Sequence, residues 1–461
     1  MRKRLAAGLA AAAALAGAAP AQGPATPGGR EALAILQKAV AVPTVAGRGQ
    51  VPVLARWIGE RLVAGGFAAG DIAFTPVGET GYLTVRYPGR DRSARPIVLL
   101  GHIDVVEAKR EDWQRDPFVP VIEGGYVYGR GALDDKGDVS ILLAALLQLK
   151  AAGWVPGRDL VLALTGDEET SMASTRAAAS ALRNAELVLN ADAGGGLLDK
   201  DGKPIAYRLQ AAEKTYAEYV LTVTDPGGHS SRPGKVNAIY RLGAGLARLA
   251  SFQFPPELSP VTRAYFEASA PRTPGPLGAA MKAFAANPRD AAAAATLSDD
   301  PEYVGLVRTT CVATMIDGGH APNALPQRAE AVINCRIFPG TSIAAIEAQL
   351  KQIVADPGIA VAYRDAGTLA APESPLRADV VKAVTDAVHA RAPGLPILPA
   401  MEAGATDSMH FRALGVPAYG VASIFMKSED DRAHGLDERL PLATLDAGVA
   451  QWQAVLKALA R

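Results

Sequence analysis

Pro96-Ile97-Val98-Leu99-Leu100 runs directly into Gly101-His102-Ile103-Asp104, a short apolar segment that ends on an imidazole and a carboxylate. The same arrangement recurs twice. Leu160-Val161-Leu162-Ala163-Leu164 precedes Gly166-Asp167-Glu168-Glu169, and Leu187-Val188-Leu189 precedes Asn190-Ala191-Asp192. A helical pattern over Val139–Ala152 lies between the first two runs. Unbroken apolar runs alternating with helices describe a mostly parallel sheet sandwiched by helices, an α/β fold. In such sheets ligands sit just beyond the carboxyl ends of the strands. Three strands therefore deliver His or carboxylate groups to one edge.

Upstream, helical periodicity begins at Glu31, and a second helix is predicted over Val51–Ala64. Downstream, the texture changes near Ala212. Tyr216–Val223, Arg308–Ile316 and Ala329–Ile337 alternate as antiparallel strands do, and the last two flank a loop near Asn323. Helices over Asn237–Leu249 and Ser342–Val354 would cover one face, giving a small inserted α+β domain. Ser251–Pro301, with the run Ala291–Ala295, is expected to be a surface elaboration of helix and loop. From Tyr363 the α/β texture returns, with a helix over Ala378–Arg391 and a strand over Ala418–Ile424. The expected division is one unit over 30–211 and 363–461, interrupted by a second over 212–362.

The balance of 47 basic and 47 acidic side chains argues against a nucleic-acid partner, which needs a basic excess against phosphates. Arg2, Lys3 and Arg4, the apolar stretch Leu5–Ala16 and the small residues Ala19-Pro20-Ala21 have the pattern of a signal peptide over 1–21. That stretch is shorter than the ~20 residues a spanning helix requires, so the expectation is an exported protein, periplasmic or secreted, with no membrane partner. Cys311 and Cys335 would then meet an oxidising compartment. They are symmetric about Asn323, so a hairpin could set them opposite each other, and a disulfide or two buried thiols both remain open.

His102, Asp104, Asp134, Asp135, Glu168, Glu169, Asp192 and His434 are the polar candidates. Any one alone is an ordinary surface or loop group. Gathered at strand ends they need a counter-charge, and a divalent cation supplies it while suiting carboxylate and imidazole ligands.

Gly101-His102-Ile103-Asp104, Asp116-Pro117-Phe118, the stretch Tyr128-Gly129-Arg130-Gly131-Ala132-Leu133-Asp134-Asp135-Lys136-Gly137, and Gly166-Asp167-Glu168-Glu169 resemble the two-zinc aminoacylase/carboxypeptidase superfamily. That superfamily includes glutamate carboxypeptidases, carnosine dipeptidases and succinyl-diaminopimelate desuccinylase. The likeness continues through Gly228-His229-Ser230-Ser231, Asn323-Ala324-Leu325-Pro326, Gly404-Ala405-Thr406-Asp407 and His434, in order along the chain. Within it, Val332 to Gly340 most resembles carboxypeptidase S and the secreted N-acyl-amino-acid hydrolases.

The resemblance implies two zinc ions per chain, with cobalt or manganese as alternatives. Asp134 would bridge them, His102 and Asp192 would complete one site, and Glu169 and His434 the other. Asp104 would hold the His102 ring as an outer partner, and Asp135 would be structural. Glu168 would be the general base of metal-activated water. His229, in a ferredoxin-like lid or dimerisation domain, would donate to the oxyanion from a neighbouring subunit of a homodimer. Arg336 would clamp a substrate carboxylate, with Asn323 nearby and Gly404 in the pocket. His320, His389 and His410 match no ligand position. The implied activity is hydrolysis of a small peptide beside a free carboxylate, of carboxypeptidase or dipeptidase type. The alternatives are an N-acyl-amino-acid amidohydrolase and a noncatalytic periplasmic binding protein.

Overall fold

In the computed structural model, which describes residues 23–461 apart from 366, the three apolar runs are neighbouring parallel strands. The signal peptide expected over 1–21 lies outside the described residues. One sheet of ten strands has the main order Ile72–Val77, Thr80–Tyr87, Leu160–Thr165, Ile97–His102, Leu187–Asn190, Ala418–Gly420, Pro204–Glu213, Gly195–Leu198, Phe425–Lys427. Ile397–Glu402 adds to Pro204–Glu213 off that path. The centre is parallel, whereas Ile72–Val77, Thr80–Tyr87 and the Gly195–Leu198/Pro204–Glu213 pair run antiparallel, so the sheet is mixed.

Alternation explains why the central strands are apolar throughout. Ile97 and Leu99 enter the larger core, and Val98 and Leu100 enter the core on the opposite face. The larger core is roofed by the helices Pro27–Val40, Lys136–Ala151, Ala378–Arg391 and Thr444–Leu459. Lys136–Ala151 is buried on nearly every side because it lies between the sheet and its neighbouring helices. The strand expected over Ala418–Ile424 is shorter than its pattern. The ladder covers Ala418–Gly420, and the chain then turns into a cavity wall.

A second sheet has the order Thr310–Gly318, Arg328–Ile337, Thr215–Thr224, Ala360–Arg364, all antiparallel. Helices Ala238–Ser251 and Ile343–Val354 cover one face and close a core of Tyr219, Leu221, Ile333, Leu242 and Leu350. Strand–helix–strand–strand–helix–strand in this order is the ferredoxin-like arrangement. Cys311 lies opposite Cys335 in register, and the two form a disulfide.

The segment between the first helix and second strand of this sheet is more than surface decoration. Helices Pro260–Ser269, Gly275–Ala286 and Ala291–Ser298 enclose Phe266, Met281, Phe284 and Leu297 in a core of their own. Their alanines permit close approach. Pro260–Ser269 also packs on the strand Ile397–Glu402 and buries Val261 in the larger core.

Candidate metal centre

His102 closes the strand Ile97–His102 and is almost wholly buried. Its Nε2 lies 2.9 Å from Asp134 Oδ1 and 3.8 Å from Asp192 Oδ1. The other Asp134 oxygen, Oδ2, lies 3.2 Å from His434 Nε2, and that nitrogen is 2.8 Å from Glu169 Oε2. Asp134 thus sits between two imidazoles, one oxygen turned to each. His102, Asp134 and Glu169 have ligand atoms within 4.8 Å of one another, as do His102, Asp135 and Asp192. Asp135 also receives the backbone N–H of His102 at 3.3 Å, so its carboxylate faces the strand end as well as Asp192.

Asp104 faces both the His102 ring and the turn after the next strand. The nearer contact to His102 Nδ1 is the Asp104 backbone carbonyl, at 3.2 Å, and the carboxylate oxygen stands at 3.5 Å. The carboxylate also accepts the backbone N–H groups of Glu168 and Glu169, at 3.2 and 3.1 Å. It shapes the turn carrying both glutamates, a task open to it because it leaves the strand two residues after His102.

Burial, hydrogen bonds between imidazole and carboxylate, and neighbouring carboxylates set the ionisation. His434 is pushed up to about 10 by hydrogen bonds to Asp134 and Glu169. Burial pulls the His102 pKa down, but Asp104, Asp134 and Asp192 together raise it well above an ordinary imidazole. Burial raises Asp134, but the two histidines outweigh it and lower its pKa. Asp192 rises to about 6, mainly through burial. Burial also lifts Glu168 well above an ordinary carboxyl, helped by Asp192, Asp407 and Glu169. A donor set of imidazole nitrogen and carboxylate oxygen, gathered in this way, fits divalent cations.

Glu168, 9% exposed, opens on a cavity of about 280 Å³ with Asp134, Glu169, Asp192 and His434. Gly404 lines it too, and Leu133, Ala422, Ile424 and Met426 make an apolar wall. Arg208 and Glu402, 3.8 Å apart, line the same cavity and carry no signal in the apolar pattern. Asp407, within a quoted motif but given no role, accepts the hydroxyls of Thr165 and Thr175 beneath the site, and burial raises it to about 7.

His229, Asn323 and Arg336 stand elsewhere. His229 is exposed in a two-residue ladder with Ala324–Leu325, its Nδ1 accepting from Ser231. Asn323 meets that turn through its carbonyl, which accepts the Ser230 N–H at 3.0 Å. Arg336 lies over the Tyr216 ring and donates to the Ala403 carbonyl at 2.9 Å, next to Gly404. The cavity is lined without these three.

The profile of peptidase family M20/M25/M40 matches residues 98–458. The chain is 33% identical over 288 residues to the N-fatty-acyl-amino acid synthase/hydrolase PM20D1 of Mus musculus, covering 58% of this chain and 54% of that one. It is 31% identical over 291 residues to a probable carboxypeptidase S-like 2 of Dictyostelium discoideum, covering 59% and 54%. The match spans about half the length of these curated relatives. Among solved structures, an M20 family metallo-carboxypeptidase, Sso-CP2 from Sulfolobus solfataricus, superposes with a TM-score of 0.73 at 18% identity, over 93% of this chain and 98% of that one.

Proposed function

The chain belongs to peptidase family M20/M25/M40, and from that premise we propose that it is an exported two-metal hydrolase cleaving a peptide or amide bond beside a free carboxylate. The observation that carries this is Asp134, with one oxygen turned to His102 and the other to His434 at a cavity that Glu168 also lines. His102, Asp134 and Asp192 would hold one ion, and Glu169, His434 and the shared Asp134 the second, with zinc as the first choice. When bound, the ions supply Lewis acidity toward a water and the scissile carbonyl. Glu168 takes a proton from that water, the water oxygen bonds to the carbonyl carbon, and Glu168 hands the proton to the departing amine nitrogen as the C–N bond breaks to leave a carboxylate and an amine. Its place on the cavity wall beside Asp134, Glu169 and Asp192 puts one carboxylate within reach of both proton transfers.

The carboxypeptidase or dipeptidase reading is supported by Arg336, a guanidinium beside the Gly404 loop suited to a substrate carboxylate. A second reading, N-acyl-amino-acid hydrolysis, is favoured by the apolar wall of Leu133, Ala422, Ile424 and Met426. The name of the mouse relative points the same way. The disulfide supports export, since such bonds persist in oxidising compartments. No helix of the described residues is long and apolar enough to cross a membrane. Lys214, between the strands Pro204–Glu213 and Thr215–Thr224, supports a boundary near 212 for the inserted unit, with its return near 363. Exposed Val312, Met315 and Ile316 on its edge strand, with Ile239 and Tyr240 on its helix, offer an apolar face to a second copy of the chain.

The test is a panel of dipeptides against N-acyl amino acids, run on the wild type and on Glu168→Gln with metal content measured. Glu168→Gln should lower kcat by roughly 10²–10⁴-fold with metal retained. Full activity in that variant, or activity surviving exhaustive chelation, would sink the mechanism. Binding without turnover across the panel would leave the noncatalytic binder standing.

A further inference from the structure

Two metal-site residues, Asp134 and His434, lie 300 positions apart in the chain and are joined by a reciprocal pair of charges. Arg130, four residues before Asp134, is buried against Glu438, four residues after His434, with Nη1 and Oε2 at 2.7 Å. Each partner holds the other's segment. The Glu438 carboxylate accepts the backbone N–H groups of Gly131 at 2.9 Å, Leu133 at 2.8 Å and Asp134 at 3.0 Å. Arg130 Nη2 donates to the backbone carbonyls of His434 at 3.3 Å and Gly435 at 3.2 Å. The Trp113 ring covers the guanidinium at 5.0 Å.

We propose that the Arg130–Glu438 pair is a positioning clamp that fixes His434 relative to Asp134 and so sets affinity for the second metal ion. The inference rests on the two-metal reading above. His434 has φ +60, a left-handed conformation uncommon among non-glycine residues. The Arg130 bonds to carbonyls 434 and 435 hold it there. The first ion's remaining ligands, His102 and Asp192, are set by the ends of sheet strands that the clamp does not touch. Loosening the clamp therefore separates His434 from Asp134 and spares the strand-end ligands. Residues that orient metal ligands from outside the coordination shell typically change affinity about 10–100-fold.

The experiment titrates metal-free protein with zinc against a fluorescent chelator, and counts ions retained after dialysis against graded chelator. Arg130→Lys, which keeps the charge and leaves both Glu438 oxygens to the N–H groups of Gly131, Leu133 and Asp134 but loses the fork to carbonyls 434 and 435, should weaken the second ion about 10–100-fold while the first binds as in wild type. If Arg130→Lys does not fold by circular dichroism, Arg130→Gln, whose amide can still donate to Glu438 but lacks the fork to carbonyls 434 and 435, should show the same selective weakening. Equal weakening of both ions means a merely structural pair and overturns the clamp. Two unchanged affinities overturn it as well. A wild type that binds fewer than two ions overturns the two-metal reading and the clamp with it.

Discussion

Around His102, Asp134 and His434 the chain answers most polar groups from within, whereas Arg336 on the second sheet, and His229 and Asn323 at a separate two-stranded ladder, have few partners. The first region takes His102, Glu169 and Asp192 from strand ends, with His102 buried, and Asp134 and the exposed His434 from loops, and Glu438 alone accepts three backbone N–H groups of the loop carrying Asp134. In the second, His229 is exposed and its ring accepts from Ser231 of the same turn. The difference teaches that charge assembled for metal must be fixed in advance, because buried carboxylates repel until something holds them. Groups that meet a substrate or a neighbouring chain can stay exposed until their partner arrives. On the proposed reading, one half of the site is built in the fold and the other would be completed on binding.

The strongest test of that contrast is His229→Ala. If His229 serves a neighbouring chain, kcat falls on the order of 10²–10³-fold, and mixing the variant with Glu168→Gln chains restores activity by pairing an intact base with an intact histidine. A mixture no more active than its parts would break the contrast. Arg336→Ala comes next. Removing a charge-assisted hydrogen bond worth roughly 1.5–3 kcal/mol should raise KM about 10–100-fold with kcat nearly unchanged. A fall in kcat at constant KM would move Arg336 into the chemistry. The smallest effect on catalysis is expected from Cys311→Ser with Cys335→Ser. The bridge closes a separation of 24 residues, so denaturant unfolding should show a loss of about 3 kcal/mol, with metal content unchanged. Metal lost together with the disulfide would show that the two regions are not independently held.

The strand ends were legible because fully buried strands are apolar on both faces, and a polar residue after such a run stands out. Two neighbouring strands were not legible, for opposite reasons. Pro204–Glu213 carries Gln210 and Glu213 inside the protein, where both accept from the buried Arg412 guanidinium, so its pattern is broken by charges that answer one another. Ile397–Glu402 contains Pro399, which demotes a strand in sequence but is tolerated at a sheet margin. Their loss hid Arg208 and Glu402, which sit on those strands. The Arg130–Glu438 pair was hidden differently. Its roles are backbone hydrogen bonds between segments 300 residues apart, and composition and spacing carry no trace of those. For Cys311 and Cys335 the numbering left two outcomes open, and the strand register settled between them.

The helix Pro260–Ser269 belongs in sequence to the small domain but leans on the strand Ile397–Glu402 of the large sheet. Two chain crossings alone would let the small domain swing on them as a door swings on hinges. A third attachment, with Val261 sunk into the opposite core, turns the hinge into a bracket. On the proposed reading, the span between Arg336 and His102, Asp134 and His434 is then a length built into the frame, and a substrate would have to match it as a part matches a gauge.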